Sequence, residues 1–208
     1  CKKVSKMKSF TEHLTENMNK QKALEFIKTA HAGQKYGSSP YWTHPKAVAD
    51  VGKKVFGSKF DQKAYMAALL HDVIEDTPYK EAELKKLGFD DEILDAVKLL
   101  TKDKSMSYAD NIQRIISSGN KRAMMVKYAD NYMNFTGDKS TWDPEKKAAS
   151  QEKYKKSITT IAKKLGVKAD LPENYTSIAQ RYIRSLNALG EALGVKSDWS
   201  MEDSLLKD

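Results

Sequence analysis

The sequence predicts an all-α protein, a bundle of roughly eight to ten helices, on three observations. Apolar residues recur at the three- and four-residue spacing of a helical face almost throughout, and no stretch alternates convincingly with period two. Asp61 and Asp143 stand at the starts of such runs, and Gly or Pro ends several of them. A chain of 208 residues with 40% apolar content can bury a full core, and it shows no internal repeat or low-complexity linker, so one domain over 1–208 is expected.

The elements follow in order. Ala23, Leu24, Ile27 and Ala30 mark a first amphipathic helix that Gly33 ends. Lys35 to Thr43 reads as a loop, with Gly37, Ser38, Ser39 and Pro40 as its turn residues. Pro45 suits the first turn of a second helix, where its missing N–H costs nothing, and Ala47, Val48, Val51 and Val55 are expected to face the core. Asp61 caps a third helix that runs through Leu69 and Leu70 into His71; Pro78 disfavours helical geometry at Thr77, so this helix should stop just past Glu75 and Asp76. Tyr79 to Leu87 is a short helix closed by Gly88, and Asp91 to Leu100 buries Ile93, Leu94, Val97 and Leu100. Tyr108 to Ile116 stops at Ser117-Ser118-Gly119, and Lys121 to Asn134 turns Met124, Met125, Tyr128 and Ala129 inward. Asp143-Pro144 opens a long helix to Leu165 and Gly166, completing a core over about 22–166. A last helix over 174–193 is expected to pack on that core, with a frayed acidic tail at 198–208.

Cys1 is the only cysteine, which excludes an intrachain disulfide and suits a reducing, cytoplasmic setting. No apolar run approaches the roughly 18 residues that span a bilayer, and no secretory leader is read in the first thirty residues. The net charge of +8 suits an anionic partner. Residues 139–168 hold nine of the lysines, but the whole chain has four arginines, which disfavours base-reading of nucleic acid and leaves a solvated lysine face as the simpler reading. A protein partner or homo-oligomer stays open.

The segment Leu69-Leu70-His71-Asp72-Val73-Ile74-Glu75-Asp76-Thr77 concentrates four ionisable groups behind a buried apolar run. Burying them unpaired costs several kcal/mol, and a shared cation offsets that cost. On a continuous helix His71 would lie over Glu75 and Asp72 over Asp76, giving two metal ligands and two carboxylates placed to handle a proton. His44, wedged before Pro45, can be aimed inward by its loop. Asp130 follows an apolar face with no nearby sequence partner, which suggests a buried carboxylate and a fourth ligand. His31 reads as a surface or helix-capping residue, with a supporting role at the pocket as the alternative. Two imidazoles and two carboxylates suit Mn, Fe, Co or Zn better than Ca or Mg.

An isolated His before Pro, then LLHDVIEDT, then KYADNYMN resembles the HD-domain phosphohydrolases, and more narrowly the Rel/SpoT and small alarmone hydrolase family, over roughly Lys22 to Gly166. The resemblance implies an HD-domain helical bundle and an enzyme that removes the 3′-diphosphate of (p)ppGpp with one Mn²⁺, other divalent transition metals being the alternative. Carried over by position, the metal ligands fall on His44, His71, Asp72 and Asp130, and the catalytic acidic pair on Glu75 and Asp76. Substrate contacts fall on Lys35, Asn134 and Tyr154. The nucleotide loop departs from the family pattern, offering Lys35 and Tyr36 where an Arg-Lys pair is usual; Asn131 and Tyr128 also differ. These departures touch base recognition and leave the metal set whole. Hydrolysis of another nucleotide (a 3′-phosphorylated adenine species, a dNTP or a cyclic dinucleotide) is therefore the alternative, and a non-catalytic binding module a third reading. Histidine ligands must be neutral, so activity is expected to fall as pH drops through the histidine range.

Overall fold

The computed structural model describes residues 10–137, 139, 142–169 and 171, with side chains from residue 20. The expected helix over 174–193 and the tail lie outside these. Among the described residues the architecture is helical, as the sequence predicts. In order come α1 (Phe10–Ala30), α2 (Thr43–Phe56), α3 (Gln62–Leu70), α4 (Val73–Asp76), α5 (Glu81–Lys86), α6 (Asp91–Leu100), α7 (Tyr108–Ser117), α8 (Lys121–Thr136) and α9 (Pro144–Leu165). A 3₁₀ turn at Gly57–Lys59 follows α2.

Asp61 and Asp143 cap their helices as the sequence predicts, and Asp90, Ser107 and Asn120 do the same, each accepting a backbone N–H in the first turn of the following helix. Gly166 ends α9 in the left-handed conformation, φ +66°, which a Cβ would penalise. The helix α3 lies at the centre, against α1, α2, α6 and α8, and α8 also packs on α2, α6, α7 and α9. Their facing sides are apolar: Ala64, Ala67, Ala68 and Leu70 of α3, and Ala123, Val126, Tyr128 and Ala129 of α8, are fully buried. The long α9 turns Ile158, Ile161 and Ala162 inward and leaves Lys146, Lys147, Lys155, Lys156, Lys163 and Lys164 exposed.

Three expectations need correction. The segment before α2 is not wholly irregular: β1 (Lys35–Tyr36) and β2 (Ser39–Pro40) pair antiparallel around Gly37, whose φ of +60° is the left-handed geometry such a tight turn uses. Strands this short carry no period-2 signal. Val55 is 42% exposed, because the inward stripe of α2 runs through Val48, Ala49, Gly52 and Phe56. The third correction, a break at His71, shapes the functional site.

Close approach explains Gly52. A Cβ there would fall 2.3 Å from the ring of Phe60, itself fully buried. Gly52→Ala is therefore expected to destabilise the fold by about 1–3 kcal/mol through overpacking. A lowered urea midpoint is the expected result; an unchanged midpoint would mean the Phe60 ring yields freely.

Candidate metal centre

Three helices that pack on one another bring the site together. His44 lies in the first turn of α2, His71 and Asp72 follow the end of α3, and Asp130 sits on the inner face of α8. His44, His71 and Asp130 are buried, at 4%, 3% and 5% exposure.

The sequence predicts one helix through His71 to Asp76; the structure shows α3 ending at Leu70 and a new turn, α4, beginning at Val73. Asp72 takes φ −99° and ψ −7°, the sparsely populated bridge region where many site residues lie. The break has a geometric consequence. Successive side chains on a regular helix diverge around its axis, and the break brings those of His71 and Asp72 back toward one another. Here His71 Nε2 lies 3.0 Å from Asp72 Oδ2. The one-turn relation expected of Asp72 and Asp76 persists, since the Asp76 N–H donates to the Asp72 carbonyl at 2.8 Å.

Four donor atoms meet. His44 Nε2 is 3.8 Å from Asp72 Oδ2 and 3.5 Å from Asp130 Oδ1, and His71 Nε2 is 3.8 Å from Asp130 Oδ1. The donor atoms of His44, His71 and Asp72 lie close enough together to share a metal ion, while Asp130 approaches both histidines but stands outside that mutually close set. Adjacent ligands on an octahedral ion at about 2.1 Å stand about 3 Å apart, so the spacing fits. The protonation pattern fits as well. His71 Nδ1 lies 2.8 Å from the carbonyl of Ala68, which can only accept, so Nδ1 carries the hydrogen and Nε2 offers a lone pair. That Nε2 is buried without a hydrogen-bond partner.

Electrostatics tell the same story. Burial disfavours a charged His71, but the carboxylates of Asp72 and Asp130 outweigh it and push its pKa up to about 9. Burial acts to raise Asp72 and Asp130, yet His71 beside the first and Lys127 beside the second hold both below the usual carboxylate range. With no cation present, a proton on His71 balances the cluster; a divalent ion would take its place.

The predicted acids flank the cluster differently. Asp76 Oδ2 lies 3.1 Å from the hydroxyl of Tyr41, which also lies 2.8 Å from Asp72 Oδ2. Burial and the charges of Asp72 and Asp76 push the Tyr41 phenol far above its ordinary range, so it stays a donor. Glu75 Oε2 instead accepts the backbone N–H of Lys102 at 3.1 Å. Of the expected substrate contacts, Tyr36, Asn134 and Tyr154 line a cavity of about 540 Å³ together with Gly37, Ser38, Lys139 and Trp142. Lys35 is exposed and lies outside that lining. The ring of Tyr36 stacks on His44 at 4.5 Å, and Asn134 Nδ2 donates to Asp130 Oδ1 at 2.6 Å, so both join cavity to cluster. Burial and the charge of Asp130 push the Tyr154 phenol up to about 12.

Two expectations fail here. Asp130 does have a sequence neighbour as partner: Lys127 Nζ, one helical turn earlier, lies 2.8 Å from its Oδ2. The i,i+3 spacing in Lys127-Tyr128-Ala129-Asp130 carried that signal. His31 is 2% exposed and supports the site, its Nδ1 2.7 Å from Gln34 Oε1 and its ring stacked on Tyr41, while Gln34 Nε2 donates to the carbonyl of Asp76. Nothing local along the chain marks Tyr41, since its partners lie 31 and 35 residues away.

Comparison with known proteins agrees with this arrangement. Residues 23–168 match the HD domain family. Guanosine-3′,5′-bis(diphosphate) 3′-pyrophosphohydrolase of Haemophilus influenzae is 34% identical over 147 residues, 66% of this chain and 21% of that protein. The bifunctional (p)ppGpp synthase/hydrolase SpoT of Escherichia coli is 32% identical over 157 residues, 71% of this chain and 22% of its own length. The chain thus spans about a fifth of these curated relatives. A solved structure of a metazoan ortholog of SpoT, described as hydrolysing ppGpp, superposes with a TM-score of 0.53 at 23% identity, covering 72% of this chain and 96% of that one, which shows a shared fold.

Proposed function

The chain belongs to the HD-domain family, and from that premise we propose that it is a metal-dependent phosphohydrolase that removes the 3′-diphosphate of (p)ppGpp-type alarmones, releasing pyrophosphate. The observation that carries this reading is the buried Nε2 of His71, which the Nδ1 contact with the Ala68 carbonyl leaves facing a carboxylate oxygen of Asp72 3.0 Å away. Two acceptors hold that contact only around a proton or a cation. His44, His71, Asp72 and Asp130 would hold one ion, and manganese suits their mixed N/O set. When bound, such an ion supplies Lewis acidity toward water and phosphoryl oxygen.

The chain's own residues supply the remainder. Asp76, tied through Tyr41 to the ligand oxygen of Asp72, is placed to take the proton of the attacking water. Glu75, anchored by Lys102, orients it from the other side of the turn. Tyr36, Asn134 and Tyr154 position the nucleoside in the cavity, and the exposed Lys35, outside its lining, meets substrate phosphate. The names of the relatives support the substrate class, and a cytoplasmic location follows from it. No helix among the described residues is long and apolar enough to cross a membrane.

A second reading, another nucleotide at the same centre, draws on the cavity wall formed by Tyr36, Gly37 and Ser38, which contains no basic side chain. One experiment tests both. Metal is stripped with chelator, manganese is restored, and pyrophosphate release is measured from ppGpp beside adenine 3′-phosphates, dNTPs and cyclic dinucleotides. Turnover of ppGpp with manganese is the expected result. Absence of turnover with every substrate and every divalent ion would remove the assignment.

A further inference from the structure

Several lysines of this fold meet carboxylates: Lys28, Lys46, Lys63, Lys85 and Lys98 each form an ion pair. Lys153, on α9, forms none among the described residues. Its Nζ instead stands 4.4 Å from the ring centroid of Tyr154 and 4.9 Å from that of Tyr108. The other ammonium near Tyr108 is Lys127, 5.8 Å from the same centroid. Two cations therefore flank one aromatic ring. The carboxylate nearest them, Asp130, already receives Lys127 and turns its other oxygen to the metal cluster. Burial, followed by repulsion from Lys127, lowers the pKa of Lys153, while Asp130 acts weakly the other way.

The surroundings are built rather than loose. Tyr108 donates to Asn131 Oδ1 at 2.7 Å, and Asn131 Nδ2 donates to Ser157 Oγ at 2.6 Å, which ties the ring to both α8 and α9. Tyr154, under Lys153, is itself a wall of the cavity that Asn134 connects to Asp130. An ammonium resting on tyrosine faces is an ordinary surface arrangement by itself. Two ammonium groups share a fixed ring beside the metal cluster, and the carboxylate that acts on both, Asp130, is already paired with Lys127, which leaves Lys153 to take an anion from solution.

We propose that Lys153, paired with Lys127 across Tyr108, is the seat of the distal phosphate of the substrate's diphosphate and selects diphosphate over monophosphate at this centre. The proposal rests on the hydrolase reading above and adds a residue and a selectivity to it. An ion held by His44, His71, Asp72 and Asp130 would engage the phosphoryl group under attack, which leaves the charge of the second phosphate to a cation outside the cluster. Lys127 is held by Asp130 and is 14% exposed; Lys153 is the accessible member.

The test is calorimetric titration of the full chain with inorganic pyrophosphate and with orthophosphate, both under saturating manganese. Lys153→Ala is expected to weaken pyrophosphate roughly tenfold, the scale of one charge-assisted contact, and orthophosphate less than twofold, while Lys153→Arg keeps the preference. Equal weakening of both anions, or no change in either, overturns the proposal, as does loss of the preference in the arginine variant. Because the readout is anion binding, it stands apart from turnover. A chain that hydrolyses no alarmone but shows this preference refutes the hydrolase reading and leaves the anion seat in place.

Discussion

His71→Ala and Asp72→Ala are each expected to abolish stoichiometric manganese binding and, with it, turnover. The loss should exceed the roughly 10–100-fold drop typical when a residue supporting a metal ligand is removed. Asp130→Asn is a poorer probe, because it strands the buried ammonium of Lys127 and so adds a folding penalty of about 3–5 kcal/mol. Metal content of the purified variants and calorimetry against manganese are the measurements. Full metal occupancy in either alanine variant would refute the assigned ligand set.

The same cluster gives the pH dependence. In the metal-free protein His71 titrates at about 9, above the roughly 6.5 of an unfolded chain. The stability it contributes is therefore fully present below about pH 6.5 and is lost as pH rises through 9. Metal requires the neutral imidazole, so manganese competes with that proton. Affinity should rise about tenfold per pH unit across the neutral range and level off near pH 9, with about one proton released on binding at pH 7. The sequence placed this competition in the ordinary histidine range; the two carboxylates around His71 move it upward. A manganese affinity flat between pH 6 and 8.5 would contradict the charged His71 described here.

The second large effect separates the two acids. Asp76→Asn is expected to lower kcat by about 10²–10⁴ while leaving manganese affinity within a few-fold of the parent, the range lost with a general base. Glu75→Gln should cost less, because an amide oxygen still accepts the Lys102 N–H and keeps the turn in place. Single-turnover rates beside metal titrations distinguish this from ligand loss. If Glu75→Gln proves the more damaging, the base is Glu75 and the Tyr41 contact of Asp76 serves only to hold the turn.

Much of this site is legible along the chain because its parts are local. Asp61, Asp143 and Gly166 announce helix ends through chemistry confined to one turn, and the apolar spacing of Ile93, Leu94, Val97 and Leu100 shows which side of α6 is buried. His71, Asp72, Glu75 and Asp76 stand out because so many charges beside a buried run require compensation. Lys127 is equally local, its ammonium one turn from Asp130. Tyr41, His31 and Gln34 differ in kind. Their contacts with Asp72, with each other and with Asp76 join segments that only meet once α2 and α3 have packed.

The amino-acid sequence alone determined the helical class, most helix limits and the four candidate ligands, since spacing, capping and the cost of buried charge act over a few residues. Tertiary packing decided the break between α3 and α4 and the inward turn of His31. It also decided the 3.0 Å approach of His71 to Asp72. Those outcomes depend on how α2, α3 and α8 crowd together, and no single segment contains the neighbours that impose them.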